Sequence, residues 1–161
     1  MGASAWGPRR LAAAAPLLFA LLASPAAGQG HSGGPGRCVP ALSLVPPPSA
    51  KAGQTLTFVL RARNPLPSPC ILYLGGRPPH DFVVVRRGKT VWTWRSGRAV
   101  RDILDARTLR PGETAEFAGE WDQKDLEGNP VPPGTYFVYG VLYLEPPHSA
   151  RTAPHRLRVT P

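Results

Sequence analysis

The carboxylates Asp102 with Asp105, and Asp122 with Asp125, are the pairs whose type and spacing come closest to acid–base chemistry in this chain. Glycosidase-type catalysis needs two acids facing each other across a cleft. Acids close together in a turn more often accept hydrogen bonds from nearby backbone amides, and that reading is preferred for both pairs. The stretch Asp122 to Asn129 also resembles a cation loop, with acids around Gly128. A calcium loop wants oxygen ligands at alternate positions and a closing carboxylate. A register begun at Asp122 puts Lys124 in a ligand slot, and no acid follows between Asn129 and Thr135. A capped turn is therefore expected, and no metal.

Several other reactive signatures are absent. The sequence holds no SxxK serine signature, no Walker-type phosphate loop and no HExxH helix. His31, His80, His148 and His155 are dispersed without ligand spacing, and no CxxC is present. Cys38 and Cys70 are an even pair, which in an exported chain reads as a disulfide, worth roughly 3 kcal/mol if formed without strain. Neither enzymatic activity nor a cofactor is expected.

Two tryptophans carry the best binding signal. Trp92 and Trp94 lie two apart and share one face of a strand. That face is the core by default, since indoles contribute large apolar area; the alternative is an exposed aromatic platform. An exposed indole beside Arg95 and Arg98 would be a binding hot spot.

The elements that must position these residues are short strands. Leu56, Phe58, Leu60 and Ala62 alternate with Thr55, Thr57, Val59, Arg61 and Arg63, the period of a strand with one buried face. Further strands read at 39–45, 71–74, 81–85, 114–121, 135–143 and 156–160. Residues 90–94 pair back on 81–85 through the tight turn Arg87-Gly88. The stretch 96–107 reads as a helical turn, through Val100, Ile103 and Leu104, or as a loop. The 21 prolines fall between apolar runs, where rigid turns belong. Eight or so short strands without a convincing helix predict an all-β, antiparallel sandwich.

The N-terminus predicts export. Arg9 and Arg10 precede the apolar run 11–23, and small residues follow to Gly28. This order describes a signal peptide over 1–28, cleaved after Ala26 or Gly28. The run is shorter than a membrane span and broken by Pro16, so no stable membrane insertion is expected after cleavage. Residues 29–37 read as a flexible leader and 38–161 as one domain. Without residues 1–28 the chain keeps 17 basic against 10 acidic residues, a charge of +7. That balance favours acidic surfaces at long range. The arginines are scattered over several strands and turns, so no nucleic-acid partner is expected.

Several segments are similar, in order, to the signature of the intracellular proteinase inhibitor family named BsuPI. They are Asp81-Phe82-Val83-Val84-Val85, Gly88 to Trp94, Leu109-Arg110-Pro111-Gly112-Glu113, Trp121-Asp122-Gln123-Lys124-Asp125, Gly128, and Val131 to Tyr136. The resemblance spans about residues 50–145. Its Trp92-x-Trp94 hairpin is the more specific part, because the later Trp-Asp…Gly…Pro-Gly-x-Tyr stretch also resembles the immunoglobulin-like domain of flagellar hook-capping proteins. The resemblance implies an immunoglobulin-like sandwich that inhibits serine proteases or descends from such inhibitors. The loop Trp94-Arg95-Ser96-Gly97-Arg98 is then the candidate partner-binding segment, with Arg95 or Arg98 filling an acidic specificity pocket. Trp92, Trp121, Asp122, Asp125, Gly128, Pro133, Gly134 and Tyr136 form its structural motif. The family's name says intracellular, and the export signal would move any protease partner outside the cytoplasm. The alternative is a non-inhibitory binding or scaffold module of the cell envelope.

Overall fold

The computed structural model describes residues 35–161, so the expected signal peptide lies outside the described residues. Twelve strands run through them, with no helix among them. In chain order these are β1 (Gly36–Arg37), β2 (Ala41–Val45), β3 (Ser49–Lys51), β4 (Leu56–Arg63), β5 (Cys70–Arg77) and β6 (His80–Arg86). They continue with β7 (Lys89–Thr93), β8 (Arg101–Leu109), β9 (Thr114–Trp121), β10 (Gly134–Tyr143), β11 (Ser149–Arg151) and β12 (His155–Thr160).

The alternation in β4 does what its period dictates. Leu56, Phe58, Leu60 and Ala62 are buried, while Thr57, Arg61 and Arg63 are exposed. β4 is the centre of the sheet β2-β4-β9, antiparallel to both neighbours. Facing it is the sheet β3-β12-β10-β6-β7, with β11 beside β10. Between them lie Phe58 and Leu60 of β4, Phe82 and Val84 of β6, Trp121 of β9, Tyr136, Val138 and Leu142 of β10, and Leu157 and Val159 of β12. Burying such side chains contributes about 1.5–3 kcal/mol each. A third set, β1-β5-β8, adds Leu72, Leu74 and Leu109 to the same core. An isolated bridge between Leu74 and Leu144 ties it to the end of β10.

Two facing sheets, antiparallel except for the parallel pair β3–β12, make this an immunoglobulin-like sandwich. A tyrosine corner marks the entry to β10, where the Tyr136 hydroxyl donates to the Pro132 carbonyl. Cys38 and Cys70 are joined in a disulfide. It holds β1, at the end of the segment that reads as a leader, in parallel pairing with β5.

One stretch corrects the sequence reading. The segment 96–107, read as a helical turn or loop, runs from residue 101 into the nine-residue strand β8. Val100, Ile103 and Leu104 do not form a helical face; they are exposed at 45%, 40% and 53%, Val100 just before β8 and the other two on a strand that buries only its last residue. β8 pairs with β5 on one side, with a register irregularity between Gly75 and Arg77.

Candidate functional site

The candidate segment begins where the β6–β7 hairpin ends. Arg87 and Gly88, at φ of 48° and 77°, close that hairpin, with Arg86 opposite Lys89. Beyond β7 the chain tightens into two successive turns, Ser96 N–H to Thr93 carbonyl at 3.2 Å and Arg98 N–H to Arg95 carbonyl at 3.0 Å. Gly97, at φ 72°, occupies a conformation that costs a β-carbon strain. Trp94, Arg95, Ser96, Gly97 and Arg98 are thus one compact turn.

Two buried polar residues of β6 hold it. The Asp81 carboxylate, 5% exposed, accepts the Arg95 N–H at 2.9 Å and the Phe82 N–H at 2.8 Å. Burial raises the Asp81 carboxyl above its ordinary value of 3.8, and these backbone bonds and the Arg95 charge draw it partly back. His80, 7% exposed, lies against the Trp94 indole with centroids 4.6 Å apart and planes 23° apart. Its Nε2–H donates to the Ala118 carbonyl at 3.1 Å, which leaves Nδ1 buried without a partner. The indole also lies over Gly119, where a β-carbon would come within 2.8 Å of Trp94 and 2.7 Å of Phe82. Only glycine permits that approach.

The arginines are laid on aromatic rings. The Arg98 guanidinium sits 4.1 Å from the Trp94 ring centroid, and its Nε donates to the Trp94 carbonyl at 2.8 Å. The Arg95 guanidinium sits 4.0 Å from the Tyr143 centroid and lines a cavity of about 400 Å³ with Gly76, Asp102 and His148. Arg98 is exposed and Arg95 half-buried. Trp92 and Trp94 are half-buried and pack on the core from one side.

The remaining motif residues build a scaffold. Trp121 is fully buried against Phe58, Trp92 and Tyr136, at centroid distances of 6.3, 5.9 and 5.9 Å. Asp122 accepts the Lys124 N–H at 3.2 Å and pairs with the Lys124 ammonium at 2.9 Å. Asp125 accepts the N–H groups of Glu127 at 3.1 Å and Asn129 at 2.8 Å. These carboxylates are engaged by their own loop, and the described residues contain no group of three His, Cys, Asp or Glu placed to hold a metal. Gly128, at φ 86°, donates to the Asp125 carbonyl. Arg86 reaches the Tyr136 hydroxyl at 3.2 Å and the Pro133 carbonyl at 3.4 Å, passing Gly134, where a β-carbon would meet it at 3.0 Å. Asp105 pairs with Arg77 at 2.8 Å, which holds its carboxyl below the usual range.

Three residues that organise these loops are not marked as such by their own type, although Asp81 and Gln123 fall in the family-like segments. Gln123, 1% exposed at φ 60°, donates to the carbonyls of Lys51 and Gln54, both at 2.7 Å, and accepts the Gly53 N–H at 3.2 Å. His80 and Asp81 stand in an apolar strand, where only tertiary contacts reveal their role.

Burial lowers the pKa of His80 below 6.5, and the charges of Arg95 and Arg98 lower it further against the Ala118 bond. Folded His80 therefore binds its proton less readily than unfolded His80. Stability is full above about pH 6.5 and falls as the pH drops below it, by at most ~1.4 kcal/mol per pH unit. Asp81 acts in the opposite sense from 3.8 upward, stability falling as the pH rises through its raised value. Urea midpoints of the wild type and His80→Phe across this range cancel the Asp81 contribution. The variant is expected to show the flatter profile, and parallel profiles would refute the account.

Among solved structures, the sporulation control protein Spo0M from Bacillus subtilis aligns at 12% identity and a TM-score of 0.45, over 74% of this chain and 49% of that one. A CARDB domain from Pyrococcus furiosus aligns at 12% identity and a TM-score of 0.39, over 74% of this chain and 93% of the other. A β-glucosidase from Erythrobacter marinus aligns at 13% identity and a TM-score of 0.39 over 75% of this chain, which spans only 16% of the enzyme. No curated protein matches the chain in sequence. The family model for intracellular proteinase inhibitor matches residues 49–146, from β3 through β10 and the Trp94–Arg98 turn. The chain belongs to the BsuPI intracellular proteinase inhibitor family.

Proposed function

We propose that the domain is exported and binds an extracytoplasmic serine protease through the Trp94–Arg98 turn. The observation that carries this reading is the anchoring of an arginine-bearing turn to the buried carboxylate of Asp81. A segment fixed before binding loses less conformational entropy on docking. Arg98 is the better candidate for an acidic specificity pocket, because it is exposed while Arg95 faces the chain's own cavity. Lifting Arg98 off the indole costs about 0.5–1 kcal/mol, little beside the gain from pairing with a buried carboxylate. The apolar run after Arg9-Arg10 supports export, and a disulfide fits an oxidising compartment.

Inhibition assays against trypsin-like and subtilisin-like proteases test the reading. Inhibition at micromolar concentration is expected, with a loss of more than about tenfold on Arg95→Ala with Arg98→Ala. Absence of inhibition by the wild type would refute it.

One observation favours a second reading, a non-inhibitory binding module of the cell envelope. The turn is closed, with both guanidinium groups on the chain's own rings, whereas a protease cleft takes up an extended segment. Salt-sensitive retention on isolated envelope material is the result this reading expects, and no retention at low salt would remove it.

A further inference from the structure

Positive charge gathers beside the turn in excess of the negative charge of Asp81, Asp102 and Asp105. A groove of about 520 Å³ is lined by Arg77, Arg98 and Arg101 with Trp94 and Pro78. Arg95 approaches Gly76, on β5 next to Arg77. Arg77 and Arg101 stand directly opposite each other across β5 and β8, a like-charge pairing that opposes the ladder. Asp105 answers Arg77 alone, and among the described residues Arg95, Arg98 and Arg101 have no carboxylate within ion-pair distance.

The strand that begins at Arg101 is unfinished on one side. Among the described residues β8 pairs only with β5, and residues 101–108 are exposed on both faces. Ile103 and Leu104 are apolar and adjacent, so each face presents one of them to solvent. An open edge of this kind offers a row of N–H and C=O groups to an incoming strand.

We infer that the open edge of β8 and the arginine groove form one site for an extended acidic peptide segment of a partner protein. The segment adds a strand to β8, sets apolar side chains on the face of Leu104, and places carboxylates on the other face, that of Arg101, among Arg98, Arg101 and Arg77. Arginine suits carboxylates because its planar fork donates two parallel hydrogen bonds. A peptide is favoured over an anionic polymer because only a peptide main chain satisfies the open ladder. This inference rests on the reading of the Trp94–Arg98 turn as a partner-binding surface, and names the chemistry of that partner.

The test uses the whole mature chain and a synthetic decapeptide of alternating Glu and Val, with tryptophan emission as the readout. Saturable binding is expected, and none of a Lys–Val counterpart. Arg98→Ala with Arg101→Ala should weaken it by more than about tenfold, while Arg156→Gln with Arg158→Gln on β12 leaves it unchanged. N-methylation of alternate peptide amides keeps the charge and removes ladder bonds, so it should abolish binding. Equal binding of the methylated peptide or of dextran sulfate, or equal loss in both arginine variants, would reduce the site to net charge and overturn the inference. Dimerisation through β8 that excludes the peptide would give the edge to a second copy, also overturning it. Peptide binding without protease inhibition would remove only the protease reading, and inhibition without peptide binding only this one.

Discussion

Trp121→Ala is expected to lower stability by about 3–5 kcal/mol, a large part of the roughly 5–15 kcal/mol an ordinary domain possesses. The indole ends β9, opposite Leu56, and contacts the rings of Phe58, Trp92 and Tyr136. Those four aromatics come from four strands in both facing sheets, so the void left by truncation cannot close by moving one element. A hydrogen bond acts beside the packing. The indole N–H donates to the Lys124 carbonyl at 2.7 Å and pins the loop that carries Gln123 and Asp125. Trp121→Phe keeps one ring but loses that bond and part of the indole's buried volume, so it should cost an intermediate amount, about 2–3 kcal/mol. Guanidinium denaturation of the three proteins separates the contributions. Midpoints should fall in the order wild type, Phe, Ala with the denaturant slope unchanged. An Ala variant within 1 kcal/mol of wild type would mean that the core closes around the gap, contrary to the account.

The buried half of the molecule was legible because burial writes itself into sequence. β4 alternates cleanly since one face meets the core and the other meets water. The Arg87-Gly88 turn was readable because positive φ demands particular residues. β8 fails that logic for a physical reason. A strand exposed on both faces has no constraint of period two, and its few apolar residues fell by chance at helical spacing. The strand that sequence hides is also an edge strand, exposed on both faces.

The site divides along the same line. Trp94 to Arg98 is legible as a segment, but nothing local states that Arg95 lies on Tyr143 and Arg98 on Trp94. The anchoring residues are harder still. Asp81 and His80 look like ordinary polar ends of a strand, yet one fixes the backbone of the turn and the other supports its indole. Paired carboxylates proved the weakest guide to chemistry here. Asp122 and Asp125 face their own loop amides, which is what short loops ask of acids.

Opening the Cys38–Cys70 disulfide is expected to cost roughly 3 kcal/mol, the second large effect in the molecule. The bond closes a loop with a sequence separation of 32, and the chain-entropy model assigns a loop of that length about 3–4 kcal/mol. The element it holds has little else. β1 is two residues long and, among the described residues, pairs only with β5. β2 is secured separately, by its five-residue pairing with β4 and by the packing of Leu42 and Leu44 on the core. Cys38 is the hinge of this arrangement, since its N–H donates to the Ile71 carbonyl at 2.7 Å while its sulfur reaches Cys70. Reduction should therefore lower the denaturation midpoint and release β1 from β5 before the rest of the sandwich opens. Cys38→Ala with Cys70→Ala should reproduce the lower midpoint without reductant, while Trp121 emission stays native-like. Hydrogen exchange would show the order, with Cys38 and Ile71 amides losing protection while those of β4 and β10 keep theirs. Equal midpoints for oxidised and reduced protein would mean that packing alone holds this corner, contrary to the account.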